Sequence, residues 1–300
     1  MGRLREAHYT AERGRYIAGV APSRRRPATE KGRPNRRQPQ RAGPSPASRR
    51  TGRSRPGPTA ESPASAAREE SGDPRRRRRF QAALLRWYRR HRRDLPWRRT
   101  RDPYRVLVAE VMLQQTQVDR VIPKYREFLD RYPTLQVLAA ADVTDVRRTW
   151  YPLGYNVRPV RLHAIAREAL ARYEGRLPED EAGLRSLDGI GRYTAGAVRS
   201  FAYGQRAAIL DTNVRRVLGR VFHGTDGRRV AVAAMWRLAE LVLPRGEVYD
   251  FNQALMDFGA TWCTARKPLC LPCPMQRFCR AYPLTPGSGV SDGGARDRRP

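Results

Sequence analysis

The chain has 300 residues, 60 of them Lys or Arg against 29 Asp or Glu, giving a formal net charge of +31 and a sequence pI near 11.4. That surplus points to a polyanionic partner, nucleic acid ahead of an acidic membrane surface. No uninterrupted apolar run is long enough to span a bilayer and nothing reads as a signal peptide, so the expectation is a protein of the cytoplasm, associated with the nucleoid.

Residues 1–79 carry 22 Lys and Arg against 7 Asp and Glu, a net of +15 that leaves +16 on the remainder, so both parts are basic. This first stretch, with Arg24-Arg25-Arg26-Pro27 and the run Arg75 to Arg79, is rich in Arg, Pro, Ser and Gly and poor in large apolar residues. It reads as a disordered extension, since it cannot bury a core. Residues 284–300 read as a second disordered tail, which places the folded part at 80–283.

From Phe80 onward the apolar residues recur at helical spacing. Phe80, Leu84, Trp87, Tyr88 and His91 share one face of a first helix. Asp102-Pro103 marks a helix start, with an N-cap residue and Pro at the first helical position. Val118, Val121, Ile122, Tyr125 and Leu129 form a further stripe, and Val160, Leu162, Ile165, Ala169 and Leu170 another. No segment alternates with a period of two for more than a few residues. The predicted class is all-α.

Two features go beyond packing. Glu110 interrupts the apolar run Val106 to Leu113, where its carboxyl is desolvated unless it faces a cleft or an arginine. A carboxylic acid kept protonated near neutral pH can donate to a leaving group. Asp211 follows Ala207 to Leu210 and precedes the helical pattern from Val214. It reads as an N-cap, and the helix amides and dipole are expected to depress its pKa and keep it ionised. Between the two acids lies Leu187-Asp188-Gly189-Ile190-Gly191-Arg192-Tyr193-Thr194, a short helix ending in a G-x-G hairpin that runs into the next helix. Its glycines allow close backbone approach, so the amides around Gly189, Ile190, Gly191 and Thr194 are candidates to bind a DNA phosphate.

All four cysteines fall late in the chain, as Cys263, Cys270, Cys273 and Cys279 with spacing C-x6-C-x2-C-x5-C. Pro268, Pro272 and Pro274 bend this stretch so that the sulfurs can converge. Two disulfides are the alternative, but such frameworks belong to small secreted chains. A single C-x2-C with wider flanking gaps favours an iron-sulfur cluster over the paired clips of zinc.

Taken together, these segments resemble the helix-hairpin-helix DNA glycosylases of the endonuclease III superfamily over residues 80–283. The resemblance rests on Leu95-Pro96-Trp97-Arg98, Asp102-Pro103-Tyr104, Glu110 through Val118, the hairpin, Asp211-Thr212-Asn213-Val214, Phe251-Asn252-Gln253 and the cysteines. Glu110-Val111-Met112-Leu113-Gln114-Gln115-Thr116 is similar to the A/G-specific (MutY-like) adenine glycosylase branch. It implies two helical subdomains flanking a cleft, a 4Fe-4S cluster loop over 263–279, and a monomer acting on mismatched double-stranded DNA in base excision repair.

By similarity, Glu110 protonates an extruded adenine and then activates water, and ionised Asp211 stabilises the sugar cation with help from Tyr193 and Asn213. Gln115 fills the gap in the duplex, and Arg93, Trp97 and Gln253 line the base pocket. Tyr193 stands where bifunctional relatives carry a nucleophilic lysine, which implies base removal without strand cleavage. The chain departs from the pattern at Asp188, where a proline is common, at Thr212, where a glycine is common, and in lacking the C-terminal domain that reads 8-oxoguanine. The nearest rival is a thymine or uracil glycosylase of G:T or G:U mismatches. A non-catalytic DNA-binding iron-sulfur protein gains nothing from the desolvation cost of Glu110.

Overall fold

The computed structural model describes residues 73–283. The tail read over 284–300 and residues 1–72 of the extension lie outside them. Among the described residues there are eleven α-helices and no strand. They are α1 (Pro74–His91), α2 (Pro103–Leu113), α3 (Val118–Arg131), α4 (Leu135–Ala140), α5 (Val143–Trp150), α6 (Val157–Arg172), α7 (Glu181–Ser186), α8 (Arg192–Phe201), α9 (Thr212–Leu218), α10 (Val232–Val242) and α11 (Val248–Asp257). The all-α expectation holds.

Aspartate caps explain why several of these helices start where they do. Asp73, Asp102, Asp142, Asp180 and Asp211 each accept a hydrogen bond from a first-turn amide of α1, α2, α5, α7 and α9, satisfying donors that have no partner within the helix. The boundary drawn after Arg79 is corrected by the first of them. With Asp73 as its cap, α1 begins at Pro74, six residues before the start at Phe80 that the composition suggested, and Arg76 donates to the carbonyls of Val221 and Phe278 at 3.0 and 2.8 Å. Arginines that lower the mean hydropathy of a window still dock when their guanidinium groups reach buried carbonyls, a tertiary gain that composition does not register.

Helix α2 is buried nearly all round, with Val106, Leu107, Val108, Ala109, Val111 and Met112 in the core, and it packs against α3, α6 and α8. Helix α1 lies against α11, where Phe80 meets Phe222 and Phe251 edge-on at ring separations of 5.2 and 6.1 Å. Helix α6 buries Leu162, Ile165 and Ala169 as predicted. Val160 and Leu170, assigned to the same stripe, are 37% and 38% exposed, because they sit at the margins of a face narrower than the apolar pattern.

Helices α7 and α8 flank the predicted hairpin. Gly189 has φ +96°, a left-handed conformation that disfavours any side chain. Gly191 is the N-cap of α8, with no side chain closing the cap, and a Cβ built there would meet no atom within 4 Å. Ile190 and Thr194 are buried, and the Ile190 amide donates to the Leu187 carbonyl at 3.1 Å.

Candidate active site

A cavity of about 750 Å³ gathers side chains from several segments. Glu110 enters from α2, Tyr193 from the first turn of α8, Asp211 and Asn213 from the start of α9, and Gln253 from α11. Arg93, Trp97 and Arg98 come from the link between α1 and α2, and Gln115 from the turn after α2. Every residue expected to be catalytic, to fill the duplex gap or to line the base pocket therefore reaches one space.

Glu110 is 5% exposed and receives a single hydrogen bond, from the Tyr193 hydroxyl to Oε2 at 2.9 Å. Burial pushes its carboxyl up to about 7, Asp211 adds to the rise, and the phenol and the Arg98 charge offset only part of it. Near neutral pH the side chain thus holds its proton in a substantial fraction of molecules. Tyr193 is itself held well above the ordinary phenol value by burial and by Glu110, so it remains a donor.

Asp211 corrects an expectation. Its Oδ1 accepts from the Val214 amide at 2.6 Å and its Oδ2 from the Asn213 side chain at 2.9 Å, as a cap should. Yet its pKa is raised, because desolvation outweighs those bonds. What separates the two acids is the number of bonds that favour the anion: both an amide and a carboxamide serve Asp211, while one phenol serves Glu110. Asn213 is itself oriented, since Arg216 donates to its Oδ1 at 2.8 Å and so turns the NH₂ towards Asp211.

A second buried acid went unremarked in the sequence. Asp257, 0% exposed, is gripped by Arg98 at 2.7 and 2.8 Å and by Arg93 at 2.6 Å. These guanidinium groups hold its pKa below the usual carboxylate value despite burial. The criterion that selected Glu110 also picks out Asp257 in Leu255-Met256-Asp257-Phe258; only the partners tell a salt-bridged acid from a protonated one. Arg93 lines the cavity, but its guanidinium is committed to Asp257. Asp257→Ala is expected to cost about 3–5 kcal/mol, since it leaves Arg98 buried and uncompensated; urea unfolding measures it.

Gln253 is 3% exposed, and its Oε1 is buried without a hydrogen-bond partner. An orphan acceptor beside a cavity calls for a donor from a ligand. Trp97 forms one wall, braced edge-on by Tyr125 at a ring separation of 5.5 Å. The lysines among the described residues are Lys124 and Lys267, and neither lines the cavity.

The four cysteines line a separate narrow cavity with Phe258, Trp262 and Met275. Burial and mutual repulsion raise Cys270, Cys273 and Cys279, with Cys273 pushed to about 12. Thiols raised in this way ionise together only around a strongly cationic centre, and four cysteines lining one small cavity fit an iron-sulfur cluster. Among the described residues no three His, Cys, Asp or Glu converge closely enough to hold a single metal ion. Arg220, 3.5 Å from the Cys263 sulfur, also donates to the carbonyls of Thr264 and Ala265 and thereby shapes the loop.

The model of the HhH-GPD superfamily base excision DNA repair proteins matches residues 108–240, which hold Glu110, the hairpin and Asp211. The chain is 44% identical over 213 residues to the human adenine DNA glycosylase, covering 67% of this chain and 39% of that protein. It is 35% identical to the thymine/uracil-DNA glycosylase of Methanothermobacter thermautotrophicus, covering 69% of this chain and 95% of that one. The structure of a thermostable thymine-DNA glycosylase superposes with a TM-score of 0.66 at 35% identity, over 69% of this chain and 97% of that chain. The chain spans about two fifths of the length of its mammalian relatives. With the paired acids, the hairpin and nearly the whole of the archaeal relative matched, the chain belongs to the HhH-GPD superfamily of base excision DNA repair proteins.

Proposed function

We propose that the chain is a monofunctional DNA glycosylase that hydrolyses the N-glycosidic bond of adenine mispaired with guanine or 8-oxoguanine. The observation that carries this reading is a buried, proton-holding Glu110 and a hydrogen-bonded Asp211 lining one cavity that no lysine of the described residues enters. Glycosidic cleavage needs a proton for the departing base and negative charge near a developing oxocarbenium ion. Tyr193 occupies Oε2 of Glu110, leaving Oε1 to protonate the base. The bonding pair leaves with the base as the bond to C1′ breaks, and Asp211 faces the positive sugar. The carboxylate left at Glu110 takes a proton from water, whose hydroxide completes the sugar, and the acid is restored. Base extrusion precedes this, with Gln115 entering the gap, Gln253 accepting from the exocyclic amine of adenine and the hairpin amides binding a phosphate. Tyr193, where a Schiff-base enzyme needs an amine, cannot attack C1′ in that way, which leaves an intact abasic strand.

Excision of thymine or uracil opposite guanine is the second reading, favoured by the near-complete coverage of the archaeal relative. Duplexes with A opposite G, A opposite 8-oxoguanine, T opposite G and U opposite G, incubated with the protein and then hot alkali, separate the two. Alkali-dependent breaks at A are expected; breaks at T or U select the second reading, and breaks without alkali overturn the monofunctional assignment. The protein is proposed to act as a monomer at the nucleoid.

Cys263, Cys270, Cys273 and Cys279 are assigned to a 4Fe-4S cluster, which when bound supplies a rigid cross-link that presents Arg266 and Lys267 to the DNA backbone. Purified protein is expected to contain iron and acid-labile sulfide in near-equal amounts, and Cys273→Ser to lose both. Zinc in their place would remove this assignment.

A further inference from the structure

We infer that Arg158 is the positioning residue for base extrusion, holding the Gln115 turn in the conformation that fills the duplex gap. The inference rests on the glycosylase reading for its substrate and on geometry for its content.

Arg158 is 4% exposed and pairs with no carboxylate among the described residues. Its charge is met by carbonyl and hydroxyl dipoles and by the faces of Trp150 and Tyr155, whose ring centres lie 5.4 and 5.5 Å from the guanidinium carbon. Nη1 donates to the carbonyls of Val111, Met112 and Gln114 at 3.1, 2.9 and 2.6 Å, and Nη2 to the Thr116 hydroxyl and the carbonyls of Leu153 and Gly154 at 3.1, 3.2 and 3.1 Å. The first three bonds close the end of α2, the helix that carries Glu110, where carbonyls lack partners and the helix dipole favours a cation.

Two of the six bonds grip the residues on either side of Gln115. That residue has φ +56°, a left-handed conformation unfavourable for any residue with a Cβ, and its side chain is exposed. Strained backbone of this kind persists only where its neighbours over-determine it. Thr116 helps, its amide donating to the Leu113 carbonyl and its hydroxyl to the Gln114 carbonyl, each at 3.3 Å, and the buried fork adds shorter bonds to both flanks of the turn. The same fork binds the turn at Leu153 and Gly154, after which Tyr155 is again left-handed, at φ +48°, and 59% exposed. One guanidinium therefore locks two neighbouring turns that each offer an exposed side chain, and a lysine, a point charge without the planar fork, cannot replace it.

The test uses the full chain, with 2-aminopurine placed beside the target adenine so that its fluorescence reports extrusion on binding, independently of cleavage. Wild type is expected to raise the fluorescence, and Arg158→Lys to reduce that rise by about tenfold with affinity for undamaged duplex within about twofold of wild type. Excision of adenine opposite guanine is expected to fall by a similar factor and to recover to within about threefold when adenine faces an abasic site, where less stacking and pairing must be broken. Gln115→Ala should produce the same defect, and Arg158→Lys should add nothing to it. Equal losses on both duplexes, additive losses in the double variant, or an undiminished rise in Arg158→Lys would overturn the inference. A wild-type rise without excision would instead refute the glycosylase reading while leaving the positioning role standing.

Discussion

Glu110→Gln is expected to lower the single-turnover rate of adenine excision by about 10²–10⁴-fold, the usual worth of a positioned proton donor, with affinity for the mismatched duplex retained. Gln matches the shape of the protonated acid and keeps an acceptor for Tyr193, so the loss isolates the proton. The wild-type rate should fall about tenfold per pH unit above pH 7 to 8, because the raised carboxyl, at about 7, loses its proton there. A flat rate from pH 6 to 9 would remove Glu110 as the acid.

The same group makes a stability prediction of opposite benefit. The folded carboxyl, at about 7, lies above its ordinary value of 4.5, so the folded state binds the extra proton between about 4.5 and 7 and stability declines as pH rises through that window. Above pH 7 the full cost of a buried anion applies, at most about 3 kcal/mol for a shift of this size. Glu110→Gln should therefore be the more stable protein at pH 8 and gain little at pH 4.5. Urea midpoints at the two pH values check this, and a destabilised variant at pH 8 would contradict it.

Asp211→Asn is expected to reduce excision by about 10²–10³-fold, the scale of losing one preorganised electrostatic partner of a transition state. Asparagine caps a helix as well as aspartate does, so α9 should survive with less than about 1 kcal/mol lost. Asp211→Ala removes both cap and charge and should cost stability as well as rate. The two acids are also coupled through their charges. Asp211 raises the pKa of Glu110, so its neutralisation should move the alkaline limb of the residual activity to lower pH. An unmoved limb would mean that the two carboxyls do not sense one another.

Local information carried far in this chain. Helical periodicity, the Asp-Pro start at Asp102, the G-x-G hairpin and the N-cap at Asp211 are all short-range signals, and each appears where it was expected. Glu110 was legible because a carboxylate amid Val, Leu and Met must be either neutralised or functional. Asp257 meets the same criterion, but its partners Arg93 and Arg98 lie roughly 160 residues away in the chain. Arg158 was hidden for a like reason, since four of its six acceptors, on Val111, Met112, Gln114 and Thr116, lie more than 40 residues earlier.

By itself the sequence determined the helical class, the caps, the thiol-rich loop and which acids stand in apolar surroundings, because these depend on residues within a few turns of one another. Tertiary structure alone decided which buried acid keeps its proton, that Asp211 is raised and not depressed, and that α1 begins at Pro74. Those outcomes depend on desolvation and on hydrogen-bond partners brought together by packing, and both are properties of a folded neighbourhood that no local window contains.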